Sequence, residues 1–255
     1  MTIVALTREV NPEIANCELT HLERTPIDPE VARAQHGEYE RRLEEAGCTL
    51  HRLPATAEMP DAVFIEDTAV VFDELAVIAR PGAASRRAET PAVAQALSRY
   101  RSLHPIEAPA TLDGGDIVCV GRTVLVGRST RTNAAAVDQL CRTLAPLGYQ
   151  VRTITVTGCL HLKSAVTAVD DDTLLVNRAW VSGEELADFD LIDVHPDEPF
   201  GANALRLPDR LMHGAAFPRT RERLEQRRIR VEPVNLSELA KAEGAVTCCS
   251  LLIRI

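Results

Sequence analysis

The sequence of 255 residues has the composition of a globular protein, with 45% hydrophobic and 25% charged residues. Its formal net charge of −9 argues against nucleic acid as a partner, because phosphate binding requires a basic surface. The same charge mildly favours a cationic ligand. The length allows one large domain and does not exclude two small ones.

The N-terminal residues do not form a long apolar stretch, and they include the charged side chains Arg8 and Glu9. We therefore expect neither a signal peptide nor a membrane span. The odd number of cysteines predicts reduced thiols in a cytoplasmic protein. Zinc-finger spacing, CxxC pairs, GxGxxG and P-loop motifs are all absent from the sequence, so we expect neither a metal nor a cofactor. The cysteines are Cys17, Cys48, Cys119, Cys141, Cys159, Cys248 and Cys249.

The first predicted elements are a strand at 3–6, a helix from Asp28-Pro29 to about Gly47, and a strand at 49–53. Four β-hairpins follow, each formed by two apolar runs that turn-favouring residues connect. The turn centres lie near residues 73, 121, 171 and 208. The predicted strand pairs are 63–71 with 75–79, 116–120 with 123–126, 163–169 with 173–176, and 203–207 with 210–213.

A helix and a third strand are predicted after each hairpin. In the first helix Thr90 is the expected cap and Pro91 suits the first helical position, where an N–H is not needed. The helix at 132–147 begins with Thr132 or Asn133 as the cap and ends at Gly148. The other helices are predicted at 182–188 and 219–228, and the third strands at 104–109, 151–157, 191–195 and 231–234.

The last segment, 251–255, is an apolar strand that would be an exposed, aggregation-prone edge without a partner. If it pairs with the strand at 3–6, the two termini complete a fifth unit and the chain closes into a ring. The pattern alone also fits an ordinary α/β sheet with the same alternation of strands and helices.

Polar or reactive side chains recur at equivalent places, between the outer strand of one unit and the hairpin of the next. A ring would bring these positions to one point, as a cysteine hydrolase acting on a cationic substrate requires. They are Glu66-Asp67, Asp113, His161, Asn203 and Cys248.

Each of these residues also has a structural interpretation. A cysteine acts as a nucleophile only near a cation, a histidine or a helix N-terminus, and most free cysteines are buried core residues, as Cys248 and Cys249 would then be. A histidine between two leucines, as His161 is, more often forms a hydrogen bond in the core, and Asp113 could simply begin a glycine turn.

Charged residues suggest what such a site would bind. Glu66 and Asp67 interrupt an apolar run, where two adjacent acids are costly without a cationic partner. Arg86 and Arg131 each lie just after the second strand of a hairpin, and arginine can bind a carboxylate with two hydrogen bonds. Acids on one side and arginines on the other suit an amino acid with a cationic side chain, although either arginine could be a solvated surface residue.

Seven segments, in register along the chain, resemble the dimethylarginine dimethylaminohydrolases, a family of guanidine-modifying enzymes. The resemblance implies the pentein fold, a five-bladed ββαβ propeller, with residues 1–255 as a single catalytic domain. The segments are PDAVFIEDTAVV (60–71), ARPGAASRRAET (79–90), TLDGGDIV (111–118), GRSTRTN (127–133), GCLHLKSAV (158–166), NALRL (203–207) and KAEGAVTCCSLLI (241–253).

The resemblance also implies catalytic roles. Cys248 would attack the guanidinium carbon of a methylated arginine and form a covalent thiouronium. His161 would protonate the leaving amine and then activate the water that releases citrulline, and Asp113 would orient His161. A bound guanidinium would itself favour the thiolate. Zn²⁺ could inhibit such a cysteine–histidine pair without being a cofactor, and Cys249 receives no chemical role.

The substrate implied is a small guanidine amino acid, bound by a monomer or a homodimer without nucleic acid or membrane. Glu66 and Asp67 would hold the guanidinium group, and Asp61 the α-amino group or a neighbouring loop. Arg86 and Arg131 would bind the α-carboxylate. Closure over the site would come from the backbone near Ala242 and from a loop around Leu19, whose match to the family requires a gap.

Two alternatives remain open at this point. An arginine deiminase-like enzyme would use the same Cys, His and acid residues on another small guanidine or ureido compound, but such enzymes generally carry insertions that this sequence lacks. A non-catalytic pentein that only binds a partner would not need Cys248, His161 and Asp113 together.

Overall fold

The computed structural model describes residues 2–56 and 58–255. Over these ranges the strands form five three-stranded sheets, and each sheet combines an antiparallel strand pair with a parallel third strand. The antiparallel pair is a hairpin in four of the sheets. The inner strands of neighbouring sheets contact one another, for example β3 with β15, β6 with β9, and β9 with β12. The strands are β1 Ile3–Arg8, β2 Cys48–Leu53, β3 Ala69–Val71, β4 Leu75–Ile78, β5 Ser102–Pro105, β6 Ile117–Val120, β7 Thr123–Arg128, β8 Gln150–Thr155, β9 Val166–Ala168, β10 Thr173–Val176, β11 Asp190–Asp193, β12 Ala204–Arg206, β13 Leu211–Gly214, β14 Val231–Val234 and β15 Leu251–Arg254.

The helices lie mainly in the parallel crossovers between the second and third strand of each sheet. Asp28 caps the first helix by accepting hydrogen bonds from two backbone N–H groups, as predicted. None of the helices in the described ranges is long and apolar enough to cross a membrane. The α-helices are α1 Pro29–Glu45, α2 Thr90–Leu97, α3 Ala134–Leu144, α4 Leu162–Ala165, α5 Pro218–Gln226 and α6 Ser237–Ala240.

The two termini complete the fifth sheet, which confirms the predicted ring closure. Strand β1 pairs antiparallel with β15, so that Val4 lies opposite Ile253, and it pairs in parallel with β2. Both edges of β1 are therefore covered, and the apolar C-terminal segment has a partner. The fold is the pentein α/β fold that the sequence predicts.

The first strand of three hairpins begins later than predicted, because a short helical turn comes before it. Residues Ile65–Thr68 and Gly114–Asp116 form 3₁₀ turns, and α4 occupies Leu162–Ala165. Glu66, Asp67, Asp116 and Lys163 therefore do not lie in strands. In these turns the backbone leaves the sheet ladder, and the side chains can reach partners on other units.

Two predicted helix starts have different outcomes. Asn133 caps α3 by accepting a hydrogen bond from Ala136 N at 3.1 Å, which selects it over Thr132. The prediction that Thr90 caps α2 is wrong, since a 3₁₀ turn, Ala84–Glu89, runs directly into that helix. The predicted helix at 182–188 is a shorter 3₁₀ turn, Gly183–Leu186, capped by Ser182.

Candidate active site

The turn that carries Cys248 is anchored from both sides. Tyr39 on α1 is fully buried, and its hydroxyl donates a hydrogen bond to Val246 O at 2.9 Å. The carbonyl oxygen of Cys248 accepts a hydrogen bond from Glu66 N at 3.1 Å. Cys249 is fully buried in the apolar cluster that contains Tyr39, which agrees with its lack of a predicted chemical role. The two adjacent thiols thus have different environments, and only Cys248 lines the pocket described below.

The thiol of Cys248 lies in surroundings that disfavour its ionised form. Burial raises its pKa, and the nearby carboxylates of Glu66 and Asp67 raise it further, to about 12. The nearby ammonium group of Lys163 and a 3.4 Å contact from Ala245 N to Cys248 Sγ act in the opposite direction. Without a ligand the residue is therefore a neutral thiol at neutral pH, and a cation bound in the pocket would shift it toward the thiolate.

His161 stands at the start of α4 with its ring between two carboxylates. Its Nε2 lies 3.1 Å from Asp113 Oδ2, and its Nδ1 lies 3.8 Å from Asp67 Oδ1. The ring packs directly over Gly115, where a Cβ atom would stand 2.6 Å from Nδ1. Glycine is therefore required at position 115. At position 114 a Cβ atom would stand 2.0 Å from the backbone oxygen of Glu66, so both glycines after Asp113 are explained by close approach.

The carboxylates around His161 favour its protonated form. Burial alone would lower the pKa of this histidine, but Asp67, Asp113 and Asp116 outweigh it and raise the pKa to about 9. At neutral pH the ring consequently carries a proton that it can donate, and it is not available as a base.

Asp113 is completely buried and is held in place by backbone groups and by a hydroxyl. Its Oδ1 accepts a hydrogen bond from Gly82 N at 2.8 Å, and its own N–H donates to Thr132 Oγ1 at 3.2 Å. Because Oδ1 is occupied in this way, Oδ2 faces His161. The predicted pairing of Asp113 with His161 agrees with this geometry.

Glu66 lies behind the nucleophile, outside the lining of the pocket. One carboxylate oxygen is 2.5 Å from Lys163 Nζ, and the other accepts a hydrogen bond from Thr247 Oγ1 at 2.7 Å. Asn203 extends the network, since its Nδ2 donates to Thr247 Oγ1 at 2.9 Å. Lys163 is thus the cationic partner that was expected for the buried carboxylate of Glu66.

Arg86 is the partner of Asp67. The Arg86 Nη1–Asp67 Oδ2 distance is 2.5 Å, and Glu89 accepts hydrogen bonds from Nε and Nη2 of the same guanidinium. Arg86 Nη2 also approaches the carbonyl oxygens of Asp61 and Phe64. Of the five N–H groups of Arg86, these contacts leave one on Nη1 for a ligand.

Arg131 and Asp61 both contact the loop that covers the site. Arg131 Nη2 donates to Thr20 Oγ1 at 2.9 Å, and the Asp61 carboxylate accepts a hydrogen bond from Glu18 N at 3.2 Å. Burial raises the pKa of Asp61 to about 6, against the lowering effects of Arg86 and the Glu18 N–H. This contact with a neighbouring loop is one of the two roles predicted for Asp61.

Seven of the ten predicted site residues line one pocket, of about 20 Å³. That volume holds little more than a water molecule. From the covering loop, residues 18–22, Glu18 lines the pocket and Thr20 contacts the pocket-lining Arg131 and Glu243. Of the other three, Asp113 stands behind His161, Glu66 stands behind Cys248, and Leu19 packs against the apolar cluster around Tyr39. The pocket is lined by Glu18, Asp61, Phe64, Asp67, Arg86, Arg131, Leu160, His161, Ala242, Glu243 and Cys248.

Asp67, Asp113 and His161 are the group of side chains that could hold a metal ion within residues 2–56 and 58–255, since their ligand atoms lie within 4.8 Å of one another. Protein donors already occupy much of this group. Asp67 accepts hydrogen bonds from Gly115 N and Arg86, and Asp113 accepts one from Gly82 N. A metal ion would compete with these donors and with the proton on His161.

Several residues that shape the site were not predicted from the sequence. Asp116 accepts hydrogen bonds from Leu162 N at 3.0 Å and from Ser129 Oγ at 2.5 Å, and so connects the His161 turn to the Arg131 loop. Lys163 neutralises Glu66, and Glu243 holds the covering loop. Two of these residues had a signal in the sequence. Asp116 is the second acid of the Asp-Gly-Gly-Asp run, and Lys163 is a charged residue in an apolar stretch, two positions after His161.

Comparison with known proteins agrees with this geometry. The family model described as arginine deiminase matches residues 54–203. An N(G),N(G)-dimethylarginine dimethylaminohydrolase of Streptomyces coelicolor is 40% identical over 98% of this chain and 96% of its own length. Another enzyme of that name, from Pseudomonas aeruginosa, is 35% identical over 88% of this chain and 89% of its own.

Solved structures have the same architecture. A cysteine-to-serine mutant of the Pseudomonas aeruginosa enzyme, complexed with citrulline, has a TM-score of 0.93 and 31% identity over 99% of this chain and all of the other. The N-terminal domain of a cyanobacterial arginine dihydrolase has a TM-score of 0.90 at 17% identity, over 100% of this chain and 98% of the other, and supports the fold alone. The chain belongs to the arginine deiminase family and, within the pentein superfamily, to the dimethylarginine dimethylaminohydrolases.

Proposed function

We propose that this protein hydrolyses Nω-methylated arginines, namely asymmetric dimethylarginine and monomethylarginine, to citrulline and dimethylamine or methylamine. The observation that carries the proposal is that Cys248 and His161 line the same pocket, where neighbouring carboxylates raise the pKa of His161 to about 9. The dimethylarginine dimethylaminohydrolases at 35–40% identity support the choice of substrate.

The first step forms a bond between Cys248 Sγ and the guanidinium carbon. The positive charge of the substrate favours the thiolate, whose proton leaves for solvent. Attack gives a tetrahedral adduct in which the methylated nitrogen gains basicity. His161 then donates its proton to that nitrogen, the C–N bond breaks, and the neutral amine leaves a covalent thiouronium on Cys248.

The second step returns the protein to its starting state. His161, now neutral, accepts a proton from water as the water oxygen attacks the thiouronium carbon. The C–S bond then breaks, and the proton of the added hydroxyl passes to the departing sulfur of Cys248, which gives citrulline and restores the neutral thiol. Asp113 fixes the orientation of His161 and favours its protonated form, so one residue serves as the acid first and the base second.

The binding roles follow from the position of each side chain. Arg131 has the freer guanidinium and would bind the α-carboxylate, with Arg86 contributing its remaining N–H. Asp67 faces the pocket beside Cys248 and would hold the guanidinium. Glu66 would act on that group through its charge, because Lys163 and Thr247 occupy its carboxylate oxygens.

The covering loop and the backbone at Ala242 would complete the site. Leu19, beside the pocket-lining Glu18, would move with this loop when substrate enters. The catalytic thiol needs reducing conditions, which suits the predicted cytoplasmic location, and the cysteines of the described ranges are free. The assembly as a monomer or a homodimer and the single catalytic domain over 1–255 stay predictions.

Arginine deiminase activity is the second candidate, because the family model that matches carries that name. Citrulline release from asymmetric dimethylarginine, monomethylarginine and arginine separates the two. We expect both methylated substrates to have a higher kcat/KM than arginine, and Cys248→Ser to remove all three activities. Arginine as the best substrate, or full activity of Cys248→Ser, would contradict the proposal.

A further inference from the structure

A second cavity, of about 210 Å³, lies beside the active-site pocket. Most of its lining is apolar, and several of the residues are small and exposed, which leaves the space open. Phe200, 45% exposed, forms part of its rim. The lining includes Phe200, Ala215, Ala216, Val234, Leu236 and Ala240.

Two residues line both the cavity and the active-site pocket, namely Leu160 and Glu243. Leu160 directly precedes His161 in the chain. The cavity also reaches Ala245, whose backbone N–H lies 3.4 Å from Cys248 Sγ. Arg131 and Asp61 line only the active-site pocket. His161 and Cys248 also line only that pocket, but Leu160 and Ala245, which adjoin them, line the cavity, whereas the chain neighbours of Arg131 and Asp61 do not. By this adjacency the second cavity borders the reacting groups.

The proposed mechanism determines which part of a substrate faces this cavity. The leaving nitrogen must come within hydrogen-bond reach of His161 to receive its proton. A substituent on that nitrogen then projects past Leu160, toward the apolar lining. A methyl group does not reach across that wall, whereas a longer hydrocarbon chain would gain from burial there.

The charge at the shared wall favours a neutral substituent. The carboxylate of Glu243 accepts hydrogen bonds from the backbone N–H groups of Thr20, His21 and Leu22, at 2.5 to 3.2 Å. Oε1 of Glu243 accepts all three amides, and Oε2 shares only that of Thr20 at 3.2 Å, so backbone dipoles compensate part of this charge. His21 and Leu22 also line the cavity, so a ligand there would contact the covering loop.

We propose that this cavity is a subsite for the Nω-substituent, and that the protein hydrolyses arginines whose Nω-substituent is an apolar group larger than methyl. This inference rests on the proposed function. The reaction is unchanged: the C–N bond breaks, water supplies the oxygen of citrulline, and the released product is the corresponding primary alkylamine. Nω-butylarginine and Nω-benzylarginine are suitable probes.

The test compares kcat/KM for Nω-methyl-, Nω-butyl- and Nω-benzylarginine in the wild type and in Ala216→Trp, which fills the cavity. Ala187→Trp is the matched control, because Ala187 is exposed and lies outside the cavity lining. We expect the wild type to use the larger substrates within about tenfold of the methyl substrate, as a fitting apolar pocket allows. We expect Ala216→Trp to reduce kcat/KM for them at least tenfold more than for the methyl substrate.

Ala240→Phe fills the same cavity from α6 and should act in the same way if Ala216→Trp fails to fold. Wild-type turnover of the methyl substrate with no measurable turnover of the larger two would overturn the subsite and leave the proposed function intact. Equal losses on all three substrates in both cavity-filling variants would also overturn it. Failure of the wild type on every Nω-substituted arginine would instead overturn the proposed function.

Discussion

At the scale of single residues, the state of His161 decides whether the proposed chemistry can run. Three buried acids surround it, and Asp113 contacts its Nε2 directly. With a pKa near 9 the ring holds the proton that the leaving amine needs. The thiol of Cys248, in contrast, stays neutral until a cationic ligand binds. The substrate would therefore help to generate the thiolate that attacks it.

Replacing Asp113 by Asn should lower the pKa of His161, because the hydrogen bond and the charge that favour the imidazolium are weakened. NMR titration of the His161 ring should give a midpoint near pH 9 in the wild type and a clearly lower one in Asp113→Asn. An unchanged midpoint would contradict the role given to Asp113. Asp138→Asn on α3 is the control, since Asp138 is not among the groups that shift the pKa of His161.

The raised pKa of His161 also means that this residue stabilises the folded protein at pH values below that pKa. The folded-state pKa of His161 exceeds the usual value of about 6.5. This contribution is therefore fully present below about pH 6.5 and is lost as the pH rises through about 9.

Candidates for the reactive residues could be proposed from the sequence, whereas their structural partners could not. Cys248, His161 and Asp113 belong to residue types whose spacing and family resemblance suggest a role. Lys163 received no role from the sequence, and the turn Leu162–Ala165 brings its Nζ to Glu66. The occupation of Arg86 by Asp67 and Glu89 likewise depends on contacts between separate segments, which a single sequence does not reveal.

At the scale of elements, the turn that carries Glu243 holds the covering loop, residues 18–22, in place. Glu243 has a positive φ of 60°, which is uncommon for a residue with a side chain, and its carboxylate accepts three N–H groups of the loop. Arg131 and Ser85 hold the same loop through Thr20 and Glu18. Because the pocket beside this loop has a volume of only about 20 Å³, we expect the loop to move when substrate enters.

Removing the carboxylate in Glu243→Ala should release the loop and weaken substrate binding, with KM raised by about tenfold for a loss near 1.4 kcal/mol. Hydrogen exchange of the amides at 20–22 should accelerate. Glu243→Gln keeps one acceptor oxygen and should fall between the two. Slow exchange and an unchanged KM in Glu243→Ala would show that Glu243 does not hold the loop.

The hairpins and crossovers were predictable because alternating apolar runs and turn residues are local signals. The short helical turns before β3 and β9 were not, although they position much of the site; the glycine turn before β6 was one interpretation of the sequence. The sequences before β3 and β9 are typical of strands because apolar residues surround them, whereas buried side chains such as Glu66 find their partners far along the chain.

At the scale of the whole molecule, closure of the ring connects the termini to the nucleophile. Strand β15 follows Cys248 after two residues and pairs with β1, so the same pairing that completes the fifth sheet holds the catalytic turn. Closure was predictable because the apolar C-terminal strand needed a partner. The sequence left the ordinary sheet as an alternative, because alternation of elements alone does not determine topology.

Truncating Ile253, which is fully buried opposite Val4, should destabilise the whole ring. We expect Ile253→Ala to lower the free energy of unfolding by about 2–5 kcal/mol, since it leaves a cavity between sheets. Urea denaturation measures the change. Arg254→Ala, at an exposed neighbouring position, should change it by less than about 0.5 kcal/mol. Equal effects in the two variants would contradict the importance of the closing strand.

The most direct test of the account is to trap the covalent intermediate. S-methyl-L-thiocitrulline releases methanethiol, a leaving group that does not need a proton from His161, whereas hydrolysis of the resulting thiouronium does need that residue. Mass spectrometry of His161→Gly after exposure to this compound should show a gain equal to the substrate less methanethiol. Peptide mapping should place that gain on Cys248, and the double variant with Cys248→Ser should lack it. An adduct on Cys249, or no adduct while the wild type releases citrulline, would contradict Cys248 as the nucleophile.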